Sequence, residues 1–136
     1  MAVESTIQNL LFSRLASLVL SPALPIAWPN VAFTPPTGPY LRASYMPNTT
    51  TRLTIKDGGF NQYMGILQVS AVYPVGQGEI TPRKTAEKIA DHFNDTLRIP
   101  MAPGNIRVMK RPDIGSAIQE ADRIQVPVTI QWVAYA

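Results

Sequence analysis

The sequence contains no cysteine and one histidine, His92. The first absence excludes a disulfide scaffold, a cysteine-based zinc or iron–sulfur site and a thiol nucleophile. The second leaves any metal to carboxylates, and no group of acids has ligand spacing. Charge is also scarce, at 15% of 136 residues, while 46% are hydrophobic. That balance excludes disorder by composition. No long unbroken apolar run is present either. Ile7 to Ala27 is rich in Leu and Ala, but Arg14 interrupts it and Pro22 and Pro25 follow. Glu4 sits where a signal peptide needs positive charge. Neither a signal peptide nor a membrane-spanning helix is expected. Without a secretory route the sequon Asn48-Thr49-Thr50 carries little weight, and the expectation is a cytosolic chain or one assembled there.

What is present suits one domain spanning residues 1–136, large enough to bury roughly two-thirds of its unfolded surface. Twelve Lys and Arg against nine Asp and Glu give a net charge of +3. The densest basic cluster is Lys110-Arg111 with Arg107 nearby, less than a dedicated nucleic-acid binder gathers on one face. Thirteen prolines and eight glycines imply long, stiffened loops.

Helical spacing of Ile7, Leu10, Leu11, Leu15, Leu18 and Val19 predicts an amphipathic helix over 5–20, opened by a Ser5/Gln8 capping box and stopped by Pro22. Residues 21–39 hold six prolines, so an extended surface segment is expected, pinned by Trp28 and Phe33. Strands follow at 40–45 and 49–56, with Leu41, Ala43 and Tyr45 on one face of the first. Asp57-Gly58-Gly59 is a turn signal. A long strand, Phe60 to Tyr73, then carries Leu67, Val69, Ala71 and Tyr73 on one face and bends at Gly65. At about 3.3 Å per residue it reaches ~45 Å, so the hairpin tip is expected to project beyond the core. A second helix is predicted over 82–95 with Thr81 as N-cap, Pro82 first inside, and Ala86, Ile89, Ala90 and Phe93 buried. Asn105 to Arg111 predicts a strand with Ile106 and Val108 inward. Pro112 to Asp122 predicts a loop or helical turn. Arg123 to Tyr135 is the clearest strand, with Ile124, Val126, Val128, Ile130, Trp132 and Ala134 on one face. Pro127 implies an edge or a bulge there. The order implies an α+β, two-layer domain: a mostly antiparallel sheet covered on one face by two helices, with a long projecting hairpin.

No constellation points to catalysis. His92 lies beside Asp91 and Phe93, three residues before Asp95, and an ordinary half-exposed helical histidine accounts for it better than a general base. Lys56-Asp57-Gly58-Gly59 precedes a strand, whereas phosphate cradles open a helix. Gly76-Gln77-Gly78 before the second helix suits an anion better, but a strand-to-helix loop explains it equally. Gly115-Ser116 is not a nucleophile elbow. The expectation is a non-enzyme with no cofactor, no metal and no catalytic residue.

Several segments together resemble a known family. They are Ala27-Trp28-Pro29-Asn30, Phe33-Thr34-Pro35-Pro36, Gly38-Pro39-Tyr40-Leu41-Arg42, Gly65-Ile66-Leu67-Gln68-Val69, the Ile-Ala-Asp-His-Phe ending of Ala86–Phe93, Arg111-Pro112-Asp113 and Val126-Pro127-Val128-Thr129-Ile130. Over nearly the whole chain, in order, the sequence resembles the tail-terminator-like proteins of long-tailed phages and prophages. These are packing and turn motifs without chemical content. The resemblance implies an α+β domain that assembles as a homo-hexameric ring at the head-proximal end of the tail tube. There it would stop tube polymerisation and offer the head–tail joining surface, in a virion assembled in the host cytoplasm. The implied partners are copies of itself, the tail tube protein and head–tail connector or adaptor proteins. DNA would pass through the lumen without specific recognition, and no membrane is involved. A head–tail adaptor or tail-completion protein is the alternative, and a basic nucleic-acid-binding module a further one.

Exposure and reach, rather than any family motif, select the interface candidates. Phe60 and Tyr63 near the hairpin tip suit anchors. Arg52 and Lys56 share a polar face and could pair with acids across a subunit boundary. Arg107, Lys110 and Arg111 suit a contact with tube, adaptor or passing DNA. In the plain structural alternative, the aromatics cap the edge of the core and the bases are solvated.

Overall fold

The structure, a computed structural model, describes residues 3–21, 23–53, 60–102 and 104–136. Helix α1 is Val3–Ala16 and α2 is Ile80–His92. The strands are β1 Ile26–Ala27, β2 Tyr40–Arg52, β3 Asn61–Pro74, β4 Arg98–Pro100, β5 Asn105–Val108, β6 Asp113–Ile114, β7 Ile118–Gln119 and β8 Arg123–Tyr135. Among the described residues they form one sheet in the order β1-β2-β3-β8-β5-β4, with β6 and β7 also paired to β8. All pairings are antiparallel except β1 with β2.

Strand β8 is the spine. Its alternation puts Ile124, Val126, Val128, Ile130, Trp132 and Ala134 on one face, and none is more than 8% exposed. They meet Leu67, Val69, Ala71 and Tyr73 of β3, Leu41 and Ala43 of β2, Ile7, Leu11 and Leu15 of α1, and Ala86, Ile89, Ala90 and Phe93 around α2. Both helices therefore cover one face, as the α+β reading expects. Lys84, Glu87, Lys88, Asp91 and Asp95 face solvent.

Element boundaries depart from the expectation for identifiable reasons. Helix α1 starts at Val3, so Ser5 lies inside the first turn and is not the cap. It ends at Ala16, well short of Pro22. The Ser17 hydroxyl donates to the Arg14 carbonyl at 2.6 Å, and the Leu18 N–H donates to the Leu15 carbonyl, tightening the last turn. Val19 thus leaves the apolar face and is 88% exposed. Helix α2 starts at Ile80, not Pro82, because Gly78 at φ +79° turns the chain and the Glu79 carbonyl accepts from the Arg83 N–H. Thr81 is therefore not the N-cap. Pro82, at the third helical position, still lacks an N–H that would have no intrahelical partner. The helix stops at His92, before Asp95, where the Asn94 amide donates to the Asp91 carbonyl.

The strands differ as well. Residues 40–52 form one strand, because a register irregularity between Pro47 and Thr50 carries it past the proline. β5 ends at Val108 rather than Arg111. Residues 112–122, expected as a loop or helical turn, contain β6 and β7. Both borrow their hydrogen bonds from β8, a signal that two-residue strands do not carry. Pro127 is interior, not at an edge. The Gly115 N–H donates to the Pro127 carbonyl, so the proline's missing donor faces the break between β6 and β7. β1 and β4 have no counterpart in the expectation. Residues 54–56 and the Asp57-Gly58-Gly59 turn lie outside the described residues.

Aromatic contacts tie the layers together. Trp132 stacks on Tyr45 with centroids 5.7 Å apart at 6°. Tyr45 meets Phe12 edge-on, and Phe12 meets Trp28 at 5.0 Å. Sheet, helix and proline segment are thus joined in one chain of rings, as the pinning role of Trp28 anticipated. Phe33 packs on Tyr40, and Arg123 donates to the carbonyls of Pro36 and Gly38, so the same segment wraps round to the opposite face of the sheet. Burial, then the charge of Glu4, pushes the Tyr45 phenol up to about 12.

Two glycines mark close approaches. At Gly65 a Cβ would lie 2.6 Å from Trp132 Cζ2 and 2.8 Å from the Met46 carbonyl oxygen. At Gly104 (φ +95°) it would lie 1.7 Å from the Tyr135 carbonyl oxygen. Gly65→Ala should lower stability by about 1–3 kcal/mol through forced displacement of the Trp132 ring. Urea unfolding followed by tryptophan fluorescence measures it, and an unchanged midpoint would mean that the ring yields freely.

Candidate assembly surface

The surface is built from the two elements that leave the helical cover. Along β2, every residue from Met46 to Arg52 is exposed. β3 pairs with it on one side, through Thr50↔Tyr63, Thr51↔Gln62 and Arg52↔Asn61. The Leu53 N–H donates to the Phe60 carbonyl at 3.2 Å, so the ladder continues past both strand ends. On its other side β1 reaches only Leu41 and Arg42. The Leu41 N–H donates to the Pro25 carbonyl across that side. The parallel register sets the Ala43 N–H against the Ala27 carbonyl, and by alternation the Tyr45 N–H points the same way, past the end of β1.

The expected interface residues fall into distinct settings. Phe60 is 45% exposed and Leu53 47%; the register puts both on the sheet face opposite the helices. Leu53 was not singled out from sequence. Tyr63 is half-buried and packed on the core, opposite Ala134 of β8. Arg52 is exposed at the end of β2. Lys56 lies outside the described residues. Lys110 pairs with Asp113 at 3.0 Å and Arg111 with Asp91 at 2.7 Å, so both charges are answered within the chain. Arg107 is exposed on β5, directly across from Arg98 of β4. Three groups thus result: the aromatic and basic residues of the β2–β3 arm, the neutralised pair Lys110 and Arg111, and Arg107 apart from both.

The residues examined for chemistry have structural work. The His92 ring donates from Nε2 to the Arg14 carbonyl at 2.7 Å, and the Arg14 guanidinium donates to the His92 carbonyl at 2.9 Å. This reciprocal pair clasps the C-terminal ends of α1 and α2. It also requires the proton on Nε2. Gly76 and Gly78 border a depression shared with Glu79, whose carboxylate sits at the start of α2 where an anion would have to bind. Among the described residues no group of three His, Asp or Glu converges on a metal position, and no helix is long and apolar enough to cross a membrane.

Burial, and secondarily the Arg14 charge, lowers the His92 pKa, against the raising effect of the backbone hydrogen bond. A depressed folded-state value means the neutral ring is favoured by folding. Its contribution is complete above the unfolded value of about 6.5 and is lost as pH falls through the lower folded value. The urea midpoint of the wild type should therefore fall between pH 7.5 and 5, and that of His92→Gln should fall less. Parallel curves for the two proteins would show that the clasp does not sense the proton.

Comparison with known proteins gives the arrangement a context. One solved structure, of a protein designated by a bare sequence identifier, matches with a TM-score of 0.79 and 30% identity, covering 98% of this chain and 96% of that one. No curated protein matches. Residues 6–132 match the family described as phage tail terminator protein, from the first turns of α1 to the Trp132 region of β8. A match of that extent shows that the chain belongs to the phage tail terminator family and is a structural, non-catalytic protein of the virion tail.

Proposed function

We propose that this protein assembles as a homo-hexameric ring at the head-proximal end of the tail tube. There it ends tube polymerisation and presents the surface to which head–tail connector proteins join. The observation that supports this most directly is the β2–β3 arm. It runs beyond the helices, exposes residues 46–52 without interruption and, among the described residues, has no strand beside its other edge beyond Ala43. A ring needs a heterologous contact that closes by rotation, and an arm of this kind reaches a neighbour by adding strand to strand. Leu53 and Phe60 suit anchors because a monomer gains little by exposing them. Arg52 and Lys56 would meet acidic groups of the neighbour. Tyr63 supports the arm from its half-buried seat. Lys110 and Arg111, already paired, would contribute to tube or connector contacts only by exchanging partners. DNA would pass through the lumen without sequence-specific contact, and assembly would take place in the host cytoplasm.

Light-scattering mass behind size exclusion, alone and with purified tail tubes, followed by negative-stain imaging, tests the reading. A closed ring capping one tube end is expected. Leu53→Ser and Phe60→Ser should abolish the ring while leaving the monomer's melting temperature unchanged. Tyr63→Ala should weaken both, because its ring also packs on the core. A protein that never binds tubes but binds the portal side would overturn termination in favour of an adaptor.

A further inference from the structure

Arg98 and Arg107 are the feature that neither the fold nor the proposed ring explains. They are directly opposed in the β4–β5 ladder. The Met101 N–H donates to the Gly104 carbonyl in that ladder. By alternation Ile99↔Ile106 is then a hydrogen-bonded pair and Arg98↔Arg107 a non-hydrogen-bonded one, the kind that brings side chains closest. Ile106 is buried and Ile99 packs on the core, so both arginines point to the face without helices. Both are exposed. Like charges directly opposed in a ladder are destabilising. The neighbours on that face do nothing to relieve them: Arg107 is flanked by Val133, and the diagonal positions are Asn105 and Pro100. Three other bases do have acidic partners, Lys110 with Asp113, Arg111 with Asp91 and Arg83 with Glu79.

The place matters as much as the charge. β4 ends the sheet, with β5 on one side and no strand on the other among the described residues. The same alternation turns the N–H and carbonyl of Arg98 and the carbonyl of Pro100 to the open side. Proline at position 100 leaves no second donor stranded there. The edge therefore offers one donor, two acceptors and two uncompensated guanidinium groups.

We propose that β4 is a docking edge for an extended acidic segment of a different virion protein. The segment would pair with the backbone of Arg98 and set carboxylates against Arg98 and Arg107. Carboxylates fit the planar guanidinium fork. A second copy of this chain fits poorly, because its own open strand edge on β2 carries Arg42 and ends at Arg52, with no acid between them. Nucleic acid fits poorly too, since two phosphate contacts would give a log–log salt slope of only about −2. The inference rests on the reading that the protein joins other tail components, but its test is binding alone.

A fluorescein-labelled, end-capped octapeptide of alternating Glu and Thr is titrated into the full-length protein at low salt, with its Lys–Thr counterpart and a 20-base-pair duplex as comparators. Measurable binding of the acidic peptide alone is expected, with amide shifts at Arg98 and Ile99 in NMR spectra. R98E should lose that binding at least tenfold and also raise the melting temperature, since it turns a repulsive pair into an attractive one. R107Q should lose it by a smaller factor. Equal affinity of wild type and R98E, or shifts that avoid β4, would overturn the proposal. Tighter binding to the duplex, with a salt slope well beyond −2, would replace it with a nucleic-acid contact. None of these results depends on ring formation, so each protein is also run by size exclusion to keep the two readings apart.

Discussion

Everything in this molecule leans on one buried strand. β8 carries six apolar side chains on a single face, and all are nearly out of contact with water. At roughly 25 cal/mol per Å² of apolar surface removed from water, such a strand is a large block of hydrophobic stabilisation for one short segment. Its backbone serves β3 on one flank and β5, β6 and β7 on the other. Two of those partners are two residues long and could not persist alone. They exist because β8 is already held in place by what lies beneath it.

The aromatic chain from Trp132 through Tyr45 and Phe12 to Trp28 extends that hold outward. It converts a proline-rich segment with little secondary structure into a fixed part of the fold. Edge-on and offset stacks of this sort add about 0.5–1.5 kcal/mol each beyond their area. The clasp between Arg14 and His92 does the corresponding work where the helices end. A well-fastened core leaves the periphery free to carry features that do not favour the monomer, among them the exposed β2–β3 arm and the opposed arginines at the far edge.

Much of this was legible in the residues themselves. The alternation of β8 and β3, the buried stripe of α2 and the pinning tryptophan each follow from side-chain chemistry and spacing within one segment. The expectation of a structural rather than catalytic protein came from the same residues, and the family match supports it. The resemblance to tail terminators rested on packing and turn segments, and the family comparison bears it out.

Other features could not be read from any one segment. Whether Lys110 and Arg111 are available depends on Asp113 and on Asp91 of a distant helix. The face that Leu53 occupies is set by the register irregularity after Pro47, and its exposure by the arm's reach beyond the helices. Arg98 and Arg107 are unremarkable apart and become a conflict only when the ladder sets them opposite each other. Sequence by itself determined the periodicities, and with them the two layers and the main strands, because hydrophobic alternation is a local property. Tertiary structure alone decided the caps, the borrowed strands, the register and the pairing of charges, because each depends on a partner that the chain brings close only after it has folded.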